Sequence, residues 1–151
     1  MEPLFSDISR FELSNGIRAI AIPVAGRRSA VFGVWVLSGS TAEPKRLMGI
    51  GHFLEHLLFK GTAKFSAHQI VSKIEACGGK IDAYTSREEI CLQATTPGEN
   101  MDIAQTVLSQ LACFPALRES DMIPERQVIL SEMDEVRDDP GSLAQEIFPT
   151  L

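Results

Sequence analysis

The sequence contains few cysteines, few histidines and no long hydrophobic run. It has three cysteines, Cys77, Cys91 and Cys113, and each lies among apolar residues. The odd number and these surroundings predict buried free thiols in a reducing compartment rather than a disulfide framework. No apolar stretch reaches the ~20 residues of a transmembrane helix. The first residues also lack the basic start and apolar core of a signal peptide. We therefore expect a cytoplasmic protein without membrane association.

Positively charged residues are fewer than negatively charged ones, 14 against 20, so the formal net charge is −6. This balance argues against nucleic acid as a partner. Hydrophobic residues make up 44% and charged residues 23% of the 151 residues, which is typical of a globular domain and not of a disordered chain. The length suits one domain with a core of its own.

Strand-like and helix-like segments are interspersed along the chain. Asn15-Gly16 between alternating apolar residues predicts a β-hairpin, and the unbroken apolarity of residues 30–37 predicts a central strand covered on both faces. Ser66-x-x-Gln69 predicts a capping box, and Ser142 is expected to cap a last helix. The predicted strands are 11–13, 17–22, 30–37, 81–84 and 90–95, and the predicted helices are 47–59, 66–77, 97–114 and a fourth from Asp121 or Pro124 to Val136.

This order of elements predicts an α+β fold with a mixed or antiparallel sheet and helices packed on one face. We find no internal repeat and no interdomain linker, so we expect residues 1–151 to form a single domain.

Two of the three histidines lie four residues apart in the apolar run from Leu47 to Phe59. On a helix, at about 100° per residue, His52, Glu55 and His56 share one narrow face. A buried histidine pair beside a carboxylate needs a partner. Two histidines at this spacing suit a divalent metal, most often zinc. The structural alternative is a core helix with two hydrogen-bonded histidines.

A catalytic zinc site needs three protein ligands and one open position for water. His68 is the only other histidine and is expected on the surface without a function, so a carboxylate is the expected third ligand. Glu125 and Glu132 share the apolar face of the predicted fourth helix but are about 10.5 Å apart along its axis. One should therefore bind the metal and the other support the site, and the residues alone do not choose between them. The alternative is two acids on a solvated helix face.

The string GHFLEHLLFKGT, residues 51–62, contains the order His-x-x-Glu-His and resembles the inverzincin zinc peptidases, the family of pitrilysin, insulin-degrading enzyme and the mitochondrial processing peptidase beta subunit. The string ERQVILSEM, residues 125–133, resembles a second family motif whose later glutamate is a zinc ligand. The resemblance implies one Zn²⁺ per chain on His52, His56 and Glu132, with Glu125 as an auxiliary acid. It also implies that Glu55 activates the attacking water.

Residues 81–88 resemble a family string that forms a sheet-edge strand and pairs with extended peptide. This implies substrate binding at Asp82, Ala83 and Tyr84. Asp82 replaces the family's usual asparagine, and a carboxylate there would favour basic substrates. The structural alternative for Tyr84 is an ordinary strand aromatic.

Complete members of this family are much longer and enclose substrate between two halves. The resemblance therefore implies an N-terminal peptidase domain of 1–151 that needs a C-terminal half or a partner subunit, with a homodimer as another assembly to consider. The predicted function is a zinc metalloendopeptidase acting on extended peptides, weak or inactive as the isolated chain. The alternatives are a non-catalytic scaffold subunit, an inactive fragment that retains metal, and a di-iron carboxylate bundle, which would need little strand.

Overall fold

The structure, a computed structural model, describes residues 8–148. These residues form the strands β1 (Ser9–Glu12), β2 (Arg18–Ala21), β3 (Ser29–Val36), β4 (Lys80–Thr85) and β5 (Ile90–Pro97), and the helices α1 (Ile50–Leu58), α2 (Ala67–Glu75), α3 (Met101–Cys113), α4 (Glu119–Asp138) and α5 (Pro140–Ile147).

The described strands form two antiparallel sheets. β1 and β2 make the hairpin that the Asn-Gly pair predicts, with Gly16 at φ +83° and the Asn15 side chain accepting a hydrogen bond from the backbone N–H of Ile17. The second sheet has the order β3-β5-β4, with Val36 opposite Ile90 and Tyr84 opposite Cys91. The central strand of this sheet is therefore β5.

The prediction that residues 30–37 form a central strand covered on both faces is wrong. β3 lies at one edge of the described sheet, and Val31 and Trp35 remain 61% and 53% exposed. Phe32 and Val34, on the opposite face, pack against the core. An apolar run predicts burial on both faces, but here one face lacks a covering layer within residues 8–148.

The core lies between the three-stranded sheet and the helices α2 and α3. Its fully buried side chains come from all three elements, as expected for helices packed on a sheet: Ile70, Ile74, Leu92, Val107, Leu108 and Leu111. This arrangement confirms the α+β prediction. The five strands also rule out the di-iron bundle, which would be nearly all helical.

One predicted helix cap is confirmed, and several predicted helix starts are wrong, since α1 begins at Ile50 rather than Leu47 and α3 at Met101 rather than Pro97. The capping box of α2 is formed, because the Ser66 hydroxyl accepts from the Gln69 N–H and the Gln69 side chain accepts from the Ser66 N–H. α5 is capped by Asp139, not by Ser142, since the Asp139 carboxylate accepts a 2.8 Å hydrogen bond from the Ser142 N–H. α4 begins at Glu119 and contains Pro124, so it starts earlier than predicted.

All three cysteines are free thiols, but they are not all buried. Cys91 on the central strand is buried, and burial raises its pKa. Cys113 is exposed because it lies about 200° around α3 from the buried Leu111. None of the described helices is long and apolar enough to cross a membrane.

Candidate metal centre

α1 carries both histidines of the predicted motif, and a carboxylate from the preceding connection stabilises its first turn. Gly49, just before the helix, has φ +87°, a conformation that favours glycine, and has no side chain to cap the helix. Glu43 supplies the missing acceptor, because its two carboxylate oxygens accept from the backbone N–H groups of Gly49 at 2.6 Å and Gly51 at 2.7 Å. The negative charge also suits the positive end of the helix dipole.

The structure brings His52, His56 and Glu132 together. The Nε2 atoms of the two histidines are 3.1 Å apart. The Glu132 Oε2 atom on α4 lies 3.6 Å from Nε2 of His52 and 3.5 Å from Nε2 of His56. Among the residues described, these three are the group of histidine, cysteine and acidic side chains whose ligand atoms are close enough to hold one metal ion.

The three distances match the geometry of a tetrahedral zinc ion. Ligands at about 2.05 Å from zinc in a tetrahedron are separated from one another by about 3.3 Å. The observed separations are 3.1, 3.5 and 3.6 Å. Two imidazoles and one carboxylate are also the donor set of known catalytic zinc sites. The donor chemistry and the distances therefore both fit zinc.

Glu125 does not join this group but contacts the opposite ring nitrogen of His56. Glu125 is 6% exposed, and its Oε1 atom lies 2.9 Å from Nδ1 of His56. With Nδ1–H donating to Glu125, Nε2 of His56 keeps its lone pair for a metal. The other oxygen, Oε2, lies 2.5 Å from Nζ of Lys60. Burial alone would raise the pKa of Glu125, but the hydrogen bonds from Lys60 and His56 outweigh it and lower that pKa.

Glu55, the predicted general base, stands on α1 beside His56 and contacts the sheet. Its Oε2 atom accepts a 2.6 Å hydrogen bond from the hydroxyl of Thr85, the last residue of β4. This bond fixes the carboxylate on the side of α1 that faces β4. Glu55 is half-buried and borders a cavity of about 510 Å³ that His56 also lines.

The predicted substrate strand lies along the same cavity. Ile81, Asp82 and Ala83 of β4 line it, and β4 pairs with β5 alone among the strands described, so its other edge is free to hydrogen bond. Asp82 lies 3.0 Å from Nζ of Lys80, and this hydrogen bond lowers its pKa. Tyr84 is 42% exposed and donates its hydroxyl hydrogen to Glu89. Tyr84 does not line the cavity, whereas its strand neighbours do.

Two of the structural alternatives do not fit this geometry. The side chain of His52 is 42% exposed, so it is not a core histidine. Glu125 is buried rather than solvated, which contradicts a solvated helix face for that residue. His68 is exposed at the start of α2, as expected.

Residues 20–149 match the family described as Insulinase (Peptidase family M16). The chain belongs to the insulinase family. This match covers most of the sequence, including the histidine motif and the α4 glutamates.

Curated relatives of this insulinase-family chain are named as proteases. An uncharacterized zinc protease of Streptomyces coelicolor is 38% identical over 141 residues, which are 93% of this chain and 31% of that protein. The mitochondrial-processing peptidase subunit beta of Lentinula edodes is 36% identical over 132 residues, 87% of this chain and 28% of that protein. The chain thus spans about a third of the length of these relatives.

A solved structure confirms the fold of this family member. The crystal structure of a protease from Helicobacter pylori superposes with a TM-score of 0.86 at 26% sequence identity, covering 91% of this chain and 33% of that chain.

Three residues that contact the site were not singled out from the sequence: Glu43, Lys60 and Thr85. Thr85 lies 30 residues from Glu55, and Glu43 lies six and eight residues before the N–H groups it binds, across a connection of irregular backbone; no spacing rule connects either pair. Lys60 was visible inside the GHFLEHLLFKGT string, but only folding shows that its ammonium group meets α4.

Proposed function

We propose that the chain is the metal-bearing N-terminal part of a zinc-dependent metalloendopeptidase. The observation that carries this proposal is the convergence of His52 Nε2, His56 Nε2 and Glu132 Oε2 at tetrahedral separations. One Zn²⁺ per chain would be held by these three atoms, which leaves the fourth position open. The family and the relatives named zinc protease support the same activity.

The side chains around the three ligand residues have separate tasks in this proposal. Zinc held by these residues would act as a Lewis acid toward the scissile carbonyl and would acidify the attacking water. Glu55 takes the proton from the attacking water and returns it to the departing amine. Glu125 holds the imidazole of His56 through Nδ1 and does not contact the reacting atoms.

The free edge of β4 is the proposed substrate-binding strand. An extended peptide would add to this edge by backbone hydrogen bonds at Asp82, Ala83 and Tyr84, which explains tolerance of many peptide sequences. The cavity beside Glu55 and Phe59 would accept a side chain next to the scissile bond. Because Lys80 pairs with Asp82, the preference for basic substrates inferred from Asp82 should be weak.

The proposed enzyme is larger than this chain. Because the relatives are about three times longer, we propose that residues 1–151 work with a C-terminal half or a partner subunit that completes the substrate chamber. The isolated chain would then bind zinc and show weak hydrolysis or none. Cytoplasmic location remains part of the proposal. A scaffold subunit without activity is the second candidate, although the complete set of Glu55 and three ligands favours the enzyme.

The decisive measurement is zinc content by elemental analysis, together with hydrolysis of a quenched fluorescent peptide. We expect about one zinc per chain, reduced strongly in His52→Ala and Glu132→Ala. Glu55→Gln should keep the zinc and lose hydrolysis by about 10²-fold or more, because the general base is gone. His68→Ala, which removes an exposed histidine, is the matched control and should change neither quantity.

The outcomes separate the two candidates. Zinc retained by Glu132→Ala would exclude Glu132 as a ligand, and a folded chain without zinc would favour the scaffold. If Glu55→Gln kept full activity, its assignment as the base would be wrong.

A further inference from the structure

Lys60 contacts Glu125 and Arg118, which both belong to the α4 side of the candidate metal centre. It follows α1 by two residues, and its side chain is 39% exposed. Its Nζ atom contacts Oε2 of Glu125, and its own carbonyl accepts a 3.1 Å hydrogen bond from Arg118 at the start of α4. Lys60 thus joins the end of α1 to α4 at two points.

We propose that Lys60 is a positioning residue for zinc, acting through Glu125 on the imidazole of His56. This inference rests on the zinc binding proposed above. The contacts form a chain from Nζ of Lys60 through the two oxygens of Glu125 to Nδ1 of His56. The opposite nitrogen of that ring, Nε2, is the one that meets His52 and Glu132.

The first part of this role is orientation. The charge of a carboxylate on a residue as buried as Glu125 must be compensated by neighbours. Lys60 occupies Oε2, so Oε1 is left to accept from His56. Without Lys60, the Glu125 carboxylate would be free to turn away, and His56 would lose the acceptor that orients its ring.

The second part is the charge of the site. Glu55, Glu125 and Glu132 surround the two histidines, and Lys60 is the cation that pairs with one of them. Pairing with Lys60 neutralises Glu125, so two carboxylate charges remain to match Zn²⁺. Both oxygens of Glu125 are also occupied, which keeps this carboxylate from competing as a ligand.

The direction in which zinc affinity changes when Lys60 is removed distinguishes a positioning role from a lysine that is merely near the metal. A lysine that is merely near the metal repels it, so removing that lysine would strengthen zinc binding. A lysine that positions His56 has the opposite effect. Outer-shell partners of zinc ligands typically account for 10–100-fold in metal affinity.

The test compares zinc affinities, measured by competition with a chromophoric chelator, for Lys60→Met, Lys60→Arg and the unaltered chain. We expect Lys60→Met to bind zinc about 10–100-fold more weakly. Lys60→Arg should recover most of the affinity, because it restores a cation that can donate to Glu125. Lys80→Met is the matched control, since Lys80 lines the same cavity but pairs with Asp82, and it should leave zinc affinity unchanged.

A double-mutant cycle with Glu125→Gln shows whether Lys60 acts through Glu125. Lys60→Met should add almost nothing in the Glu125→Gln background if it does. Circular dichroism checks that each variant is folded, and Lys60→Gln, which keeps a donor but loses the charge, replaces Lys60→Met if that variant does not fold. A ¹⁵N spectrum of His56 should show Nδ1 protonated in the unaltered chain and a changed tautomer population in Lys60→Met.

Zinc affinity in Lys60→Met equal to or tighter than that of the unaltered chain would overturn this inference and leave the proposed function standing. An equal loss from Lys60→Met with and without Glu125 would also overturn it. A folded, unaltered chain that binds no zinc would overturn both.

Discussion

At the scale of single residues, the hydrogen bond between Thr85 and Glu55 links the proposed base to the proposed substrate strand. The 2.6 Å distance and the carboxylate acceptor indicate a strong hydrogen bond. A hydrogen bond to a charged group contributes about 1.5–3 kcal/mol. Its loss would let the carboxylate of Glu55 leave its position beside His56, while zinc binding would be untouched.

We predict that Thr85→Val lowers the turnover number for peptide hydrolysis about tenfold, which corresponds to about 1.4 kcal/mol of transition-state stabilisation. Valine keeps the shape of threonine and removes the hydroxyl, so KM and zinc content should stay unchanged. Thr85→Ser restores the donor and should recover most of the rate. Steady-state kinetics that showed equal turnover for Thr85→Val would refute a role of this hydrogen bond.

At the scale of elements, α1 depends on a cap from Glu43 in the preceding connection rather than from the residue at its own N-terminus. The backbone of Gly51 is closely packed against Glu43 and Thr85. A Cβ atom at this position would be 2.9 Å from Oε1 of Glu43 and 3.4 Å from Cγ2 of Thr85. The start of the metal-binding helix is therefore packed between the loop that carries Glu43 and the end of β4. Its position sets where His52 and His56 point.

Glu43→Ala should lower the free energy of unfolding by about 1–2 kcal/mol, because two backbone N–H groups at the start of α1 lose their acceptor. Urea denaturation followed by circular dichroism measures this change. Glu88→Ala removes an exposed carboxylate from the turn between β4 and β5 and should change stability by less than about 0.5 kcal/mol. Equal effects of the two substitutions would show that Glu43 does not cap the helix.

At the scale of the whole molecule, the site joins α1 to α4, two elements far apart in the chain. A metal that binds the folded state and not the unfolded state stabilises the protein by mass action. Glu132 contacts the two histidines directly, and with zinc present all three side chains would bind the same ion. Zinc should therefore stabilise the packing of α4 against α1.

We predict that zinc at 1,000 times its dissociation constant raises the free energy of unfolding by about 4 kcal/mol relative to the chelated protein. Chemical denaturation with and without a chelator measures the difference. At the same zinc concentration the increment should shrink markedly in Glu132→Ala, because the missing ligand raises the dissociation constant. A zinc increment of the same size in Glu132→Ala would mean that the metal binds elsewhere.

The sequence by itself determined the features that depend on local spacing. Asn15-Gly16 predicted the hairpin because those residues accept positive φ, and Ser66 and Gln69 predicted the cap of α2 because they lie three residues apart. The i, i+4 spacing of His52 and His56 likewise predicted two imidazoles on one face. Helical geometry converts such spacings directly into distances.

Only the tertiary structure decided which distant groups meet. Helical geometry alone did not distinguish Glu125 from Glu132, and the family resemblance favoured Glu132 as the ligand. The packing of α4 against α1 places Glu132 at the Nε2 atoms and Glu125 at Nδ1 of His56. The exposed face of β3 was likewise not visible in its apolar composition, because burial depends on which layer covers a strand. Local geometry repeats along a chain and can be read from it, whereas contacts between distant elements depend on the packing of the whole fold.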